Sequence, residues 1–187
     1  MLRFHLLLCT TAAAVNVLIA YTPDGDGQML QVATAISDGV RAANASTRLL
    51  SAKEAKFERD VHWADAVVLG SFVNNGLPAP SLLSFIDTFD MSDETLSSKV
   101  AASFATGGSP AAGLQPVLES INRALLTFRM VLAGGHSWQN SEGTGIVTNG
   151  SLPVSHSDLE LARGHGNRVA KLATLIIRGR SRSDACS

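Results

Sequence analysis

Val15-Asn16-Val17-Leu18-Ile19-Ala20-Tyr21, followed by Thr22-Pro23-Asp24-Gly25-Asp26-Gly27, decides how this chain is read. The first seven residues are apolar almost throughout and rich in β-branched side chains, the pattern of a strand buried on both faces. A Gly/Asp turn ends it. Met29, Val32, Ala33, Ile36 and Val40 then recur at three- and four-residue steps, which gives a helix one apolar face. A buried strand, a glycine-rich turn and an amphipathic helix make the first unit of a parallel α/β sheet.

The same alternation runs through the chain. Thr47 to Leu50 is a weak second strand, and Asp65-Ala66-Val67-Val68-Leu69-Gly70 a clear third one ending at a glycine. Pro80 suits a helix start, with Leu82, Leu83, Phe85 and Ile86 behind it. Val100 to Phe104 reads as a fourth strand, and Val117, Ile121, Leu125 and Phe128 mark a helix. Met130 to Ala133 reads as a fifth strand. A Gly/Ser/Asn-rich loop from Gly134 to Pro153 precedes a last helix from about Ser157 to Ile177. Five strands alternating with five helices predict a doubly wound five-stranded parallel sheet with helices on both faces. One domain spans 15–178, and a polar tail, 179–187, is expected to be disordered. Ligands of such sheets sit outside the carboxyl ends of the strands. That rule selects three loops: Thr22 to Gly27, Ser71 to Pro80, and Thr106 to Gly113.

Composition narrows the function. With 187 residues, 45% hydrophobic and 17% charged, the chain can bury a full core. A net charge of −1 argues against nucleic acid as a partner, and against the strong acidity that steers a dedicated electron carrier. Cys9 and Cys186 lie at opposite ends and the five histidines lack ligand spacing, so no metal site is expected. At the amino terminus, Arg3, the apolar run Leu6 to Cys9 and Ala12-Ala13-Ala14 have the form of a signal peptide cut after Ala14. The other reading is an uncleaved extension, so the secretory pathway and the cytoplasm both stand. No other apolar run is long enough for a stable membrane span.

Three stretches resemble one family. Gly70-Ser71-Phe72-Val73-Asn74-Asn75-Gly76-Leu77-Pro78, with the helix carrying Phe85-Ile86-Asp87, is similar to a strand-end Gly-[ST]-Pro-x-x-x-Gly loop and its Phe-[IL]-Asp helix. Phe104-Ala105-Thr106-Gly107-Gly108-Ser109 is similar to a Thr-Gly-Gly flavin loop, and Asp158 to Ala170 to a closing [DE]-L-x-x-A-R-x-x-G-x-x-[VA]-A helix. In this order they resemble the flavodoxin-like FMN proteins, especially the WrbA-type NAD(P)H:quinone oxidoreductases. The resemblance implies FMN as cofactor, NADH or NADPH as co-substrate, and a quinone or similar small acceptor as partner. Assembly of identical chains stays open, because two connections look shorter than those of the WrbA type.

By the same resemblance, Thr22, Asp24, Gly25, Asp26 and Gly27 would surround the flavin phosphate. Ser71, Phe72, Val73, Asn74, Asn75 and Gly76 would flank the ring on one side, with Thr106, Gly107, Gly108 and Ser109 at its polar edge. The flavin carries the redox chemistry, so no protein nucleophile is required. His136 is a candidate proton donor, set against the plainer reading of a solvent-facing loop histidine. The first loop departs from the family, which has a hydroxyl or neutral residue where Asp24 and Asp26 stand. A carboxylate about 5 Å from a phosphate costs ~3 kcal/mol at an effective dielectric of roughly 20. Either the aspartates repel the phosphate, or they face water, or one of them caps the first helix. Phe72 also replaces the usual proline, and Thr127-Phe128 stands where many WrbA-type proteins have a histidine. The runner-up function is a non-catalytic relative that carries electrons or has lost its flavin. A Rossmann dehydrogenase is disfavoured because no G-x-G-x-x-G follows the first strand.

Overall fold

The computed structural model describes residues 14–148 and 153–184, with side chains described up to 180. The expected leader, apart from Ala14, lies outside the described residues. The elements are β1 (Asn16–Tyr21), α1 (Gln28–Ala42), β2 (Ser46–Ser51), β3 (Ala66–Asn74), β4 (Leu77–Pro78), α2 (Pro80–Ile86), β5 (Val100–Gly107), α3 (Leu114–Thr127), β6 (Val131–Leu132), β7 (Thr144–Val147) and α4 (His156–Asp184). The main sheet runs β2-β1-β3-β5-β6, parallel throughout. Counting its five members in chain order, this is the 2-1-3-4-5 arrangement of a doubly wound flavodoxin-like sheet. No helix among the described residues is long and apolar enough to cross a membrane.

Alternation along each strand divides the core in two. Val17 and Ile19 of β1, Ala66 and Val68 of β3, and Ala102 and Phe104 of β5 face α1 and α4. Leu18 and Ala20, Val67 and Leu69, and Ala101 and Ala105 face α2 and α3. Each fully buried Val, Leu, Ile or Phe of this set contributes about 1.5–3 kcal/mol. On the first side α1 and α4 meet backbone to backbone. A Cβ on Gly39 would be driven into the Arg163 carbonyl, and one on Gly166 into the Ile36 carbonyl.

The structure corrects several sequence expectations. Four α-helices are present among the described residues. The connection from β2 to β3 carries only a five-residue π-helical segment, Phe57–Val61. Buried Asp60 holds it, accepting hydrogen bonds from Arg48 Nη1 (3.0 Å), Arg59 Nη2 (2.7 Å) and the Lys56 N–H (2.9 Å). The Arg59 hydrogen bond, opposed by burial, leads in holding the Asp60 carboxyl below its ordinary range. Trp63 packs here as expected, with the Arg48 guanidinium 4.0 Å from its ring centre. The fifth strand is broken: β6 pairs Val100 and Ala101 of β5, and β7, inside the expected loop, pairs Phe104 to Gly107. Finally α4 continues through the polar residues to Asp184, so that part of the tail is helical.

Candidate functional site

The register brings the three loops to one end of the sheet. Tyr21 pairs with Gly70, Gly70 with Phe104, and Phe72 with Thr106. β3 and β5 run further than their sequences suggested. Ser71, Phe72, Val73 and Asn74 therefore lie on β3, and Thr106 and Gly107 on β5. β3 turns back into β4 through Asn75 (φ 52°) and Gly76 (φ 81°), two successive left-handed residues that make a tight hairpin turn. That Asn-Gly pair is the hairpin signal a reading for parallel strands passes over.

The second and third loops touch. A Cβ on Gly113 would come within 2.9 Å of Gly76 Cα, and one on Gly107 within 2.8 Å of Val73 Cγ2. Ser71 is buried and locks the hairpin base: its hydroxyl donates to the Phe72 carbonyl (2.7 Å) and accepts the Ala79 N–H (2.8 Å). Ser109 caps the short turn Pro110–Ala112 by accepting the Ala111 N–H at 3.3 Å, while Gly108 is exposed.

The first loop is tied to the second. The Thr22 N–H donates to the Gly70 carbonyl (2.9 Å), and its hydroxyl lies 3.0 Å from the Ser81 hydroxyl of α2. Sequence reasoning missed Ser81, a hydroxyl in the first turn of a helix with no motif around it. Gly27, at φ 73°, precedes α1 without a side-chain cap of its own. The carboxylate that serves α1 comes from Asp24, whose Oδ2 accepts the Met29 N–H at 2.9 Å. Its other oxygen, Oδ1, is buried and has no hydrogen-bond partner. Asp26 and Gly25 are exposed. Of the readings open for the two aspartates, capping is the one Asp24 adopts. Burial, and then the charges of Glu54 and Asp24, push the Tyr21 hydroxyl above its ordinary range, so the mouth of this loop is negative.

His136 lies elsewhere. It rests on Gly164 of α4, in a groove of about 450 Å³ shared with Gly39, Ala42, Arg163 and Asn167, which none of the three loops lines. Trp138, in the same connection, is 85% exposed.

Of the stretches the resemblance assigns to the ring, Ser71 to Gly76 and Thr106 to Ser109 carry no charge and touch each other, with Ser71 and Thr106 buried. The phosphate end does not fit as it stands, because the chain's own carboxylate takes the Met29 amide in the first turn of α1.

Comparison with known proteins agrees with the architecture. Residues 11–145 match the family model described as NADPH-dependent FMN reductase. A flavodoxin of Aquifex aeolicus (strain VF5) is 26% identical over 170 residues, 88% of this chain and 90% of the relative. An NAD(P)H dehydrogenase (quinone) of Paracoccus denitrificans (strain Pd 1222) is 25% identical over 139 residues, 65% of this chain and 67% of the relative. Among solved structures, the flavodoxin, WrbA-like protein from Agrobacterium tumefaciens superposes with a TM-score of 0.66 at 20% identity, covering 87% of this chain and 99% of the other.

Proposed function

This chain belongs to the NADPH-dependent FMN reductase family, and from that membership we propose that it is a flavin-dependent NAD(P)H:quinone oxidoreductase. FMN and NAD(P)H are the cofactors of the family. The observation that carries the reading is the closure of two uncharged loops, Gly107 on Val73 and Gly113 on Gly76, beside the carboxyl end of β1. A bound flavin supplies the hydride acceptor and the two-electron donor in one ring. The chain's own part is to hold and enclose that ring. Phe72, on the α1 and α4 face of β3, and Val73, on the α2 and α3 face, would flank the ring from either side of the strand. The Thr106 to Ser109 backbone would offer amides to the polar edge, where they would favour charge on the reduced form. Ser71 keeps the hairpin rigid, so that this geometry is set before a ligand arrives.

The quinone as acceptor rests on the likeness to the Paracoccus denitrificans dehydrogenase and on the WrbA-type resemblance. A second reading, a flavodoxin-like protein without its own catalysis, is favoured by the Asp24 cap and by the likeness to the Aquifex aeolicus flavodoxin. One experiment separates them. The protein is mixed with flavin, and its visible absorbance is followed after NADPH and then a benzoquinone are added. Bleaching by NADPH and recovery with the quinone support the oxidoreductase. A bound flavin that NADPH does not bleach supports the carrier, and no uptake of any flavin supports cofactor loss.

A further inference from the structure

We infer that Asp24 makes this chain select a flavin whose ribityl chain ends in a free hydroxyl, riboflavin, over one that ends in a phosphate. The inference rests on the reading that the three loops hold a flavin, and it concerns only the flavin's tail. The two oxygens of Asp24 stand in different circumstances: Oδ2 takes the Met29 N–H at 2.9 Å, and Oδ1 is buried without a donor. A carboxylate oxygen withdrawn from water and left without a donor keeps its desolvation cost. Only a group that brings a hydrogen relieves it.

A phosphate monoester at neutral pH brings the opposite. It carries between one and two negative charges and offers acceptor oxygens, so it would meet Asp24 oxygen to oxygen. It would also need the amides at the start of α1, and Asp24 already holds that of Met29. A polyol hydroxyl donates its hydrogen and carries no charge. The surroundings point the same way, since the charges of Glu54 and Asp24 both bear on Tyr21, the last residue of β1. No side chain blocks a tail from reaching this loop from solvent, since Gly25 is exposed and a Cβ on it would meet nothing within 4 Å. The redox-active ring is the same in both flavins, so selection by the tail leaves the reaction unchanged.

The test is a binding titration read by quenching of flavin fluorescence. Riboflavin and FMN are each added to the wild-type protein and to the Asp24→Asn, Asp24→Ser and Asp26→Asn variants. Wild type is expected to bind riboflavin at least about tenfold more tightly than FMN. Asp24→Asn is expected to tighten FMN by about ten- to a hundredfold and erase the preference. Asn and Ser both cap helices well, so Asp24→Ser should follow Asp24→Asn with the fold intact. Asp26 is exposed, and Asp26→Asn should leave the preference as it was. FMN binding more tightly than riboflavin to wild type, or a ratio unmoved by Asp24→Asn, overturns the inference and leaves the flavin reading standing. Quenching of neither flavin by any variant overturns both.

Discussion

Gly166 of α4 lies so close to Ile36 of α1 that a methyl group on it would be driven into the Ile36 carbonyl oxygen. Gly39 and the Arg163 carbonyl form the reciprocal contact one turn away, so two glycines set the distance between these helices. Helix propensity alone favours alanine at such positions by about 1 kcal/mol. Backbone crowding reverses the sign. Gly166→Ala is expected to lower stability by about 1–3 kcal/mol, which for a domain of this size lowers Tm by roughly 2–4 °C per kcal/mol. Thermal unfolding checks it, and a raised Tm would mean that the helices part without cost.

His165 is buried against Thr144 of β7, its Nδ1 2.8 Å from the threonine hydroxyl. Burial, aided by the charges of Arg168 and His136 and opposed by the Ala133 carbonyl, lowers its pKa to about 4 from 6.5. The folded state therefore holds this histidine neutral, while the unfolded chain takes up a proton once pH falls below about 6.5. Stability present above that pH is lost as pH drops toward 4, by roughly 3 kcal/mol in total. Urea unfolding across that window should be steeper in pH for wild type than for His165→Gln. Equal slopes would remove His165 as the acid-sensitive group.

The Thr22 and Ser81 hydroxyls, 3.0 Å apart, couple the first loop to α2. Thr22→Val and Ser81→Ala should each cost about 1 kcal/mol, and the double variant little more than either alone. A double-mutant cycle measures this, and a coupling energy near zero would show that the contact contributes nothing to stability.

Gly107 approaches Val73 so closely that its Cβ would come within 2.8 Å of Cγ2. Under the proposed function these two residues set the gap beside the ring. Gly107→Ala should weaken riboflavin by about tenfold, and adding Val73→Ala should restore most of it, since the clash is with a side chain that can be shortened. A Gly107→Ala variant that binds riboflavin as wild type does would place the ring away from this contact.

The fold was legible because buried parallel strands write themselves as apolar runs, and β1 and β3 are such runs. β2 was weaker, since its Arg48 and Thr47 serve an ion pair and a hydroxyl contact rather than a core. The π-helical segment at Phe57–Val61 was not legible, because what fixes it is a tertiary network around Asp60 and not a local period. The broken fifth strand escaped for a similar reason: Thr144-Gly145-Ile146-Val147 is too short to stand out from a glycine-rich loop, and its pairing with β5 defines it. In the site, sequence located the three loops and marked Asp24 as an anomaly. It could not choose among the readings of that aspartate, because the choice depends on where a single carboxylate rotates.

The division of the fifth strand into β6 and β7 also governs how copies of this chain can meet. An unpaired strand at the rim of a sheet is a template for another chain. On the β5 side the rim consists of a two-residue and a four-residue piece separated by a loop, too short and too uneven to recruit a partner strand. The opposite rim, β2, offers six continuous residues. Among the described residues, therefore, β2 is the longer continuous rim of the sheet. Arg48 of that rim strand is turned onto the sheet face, stacked on Trp63 and paired with Asp60.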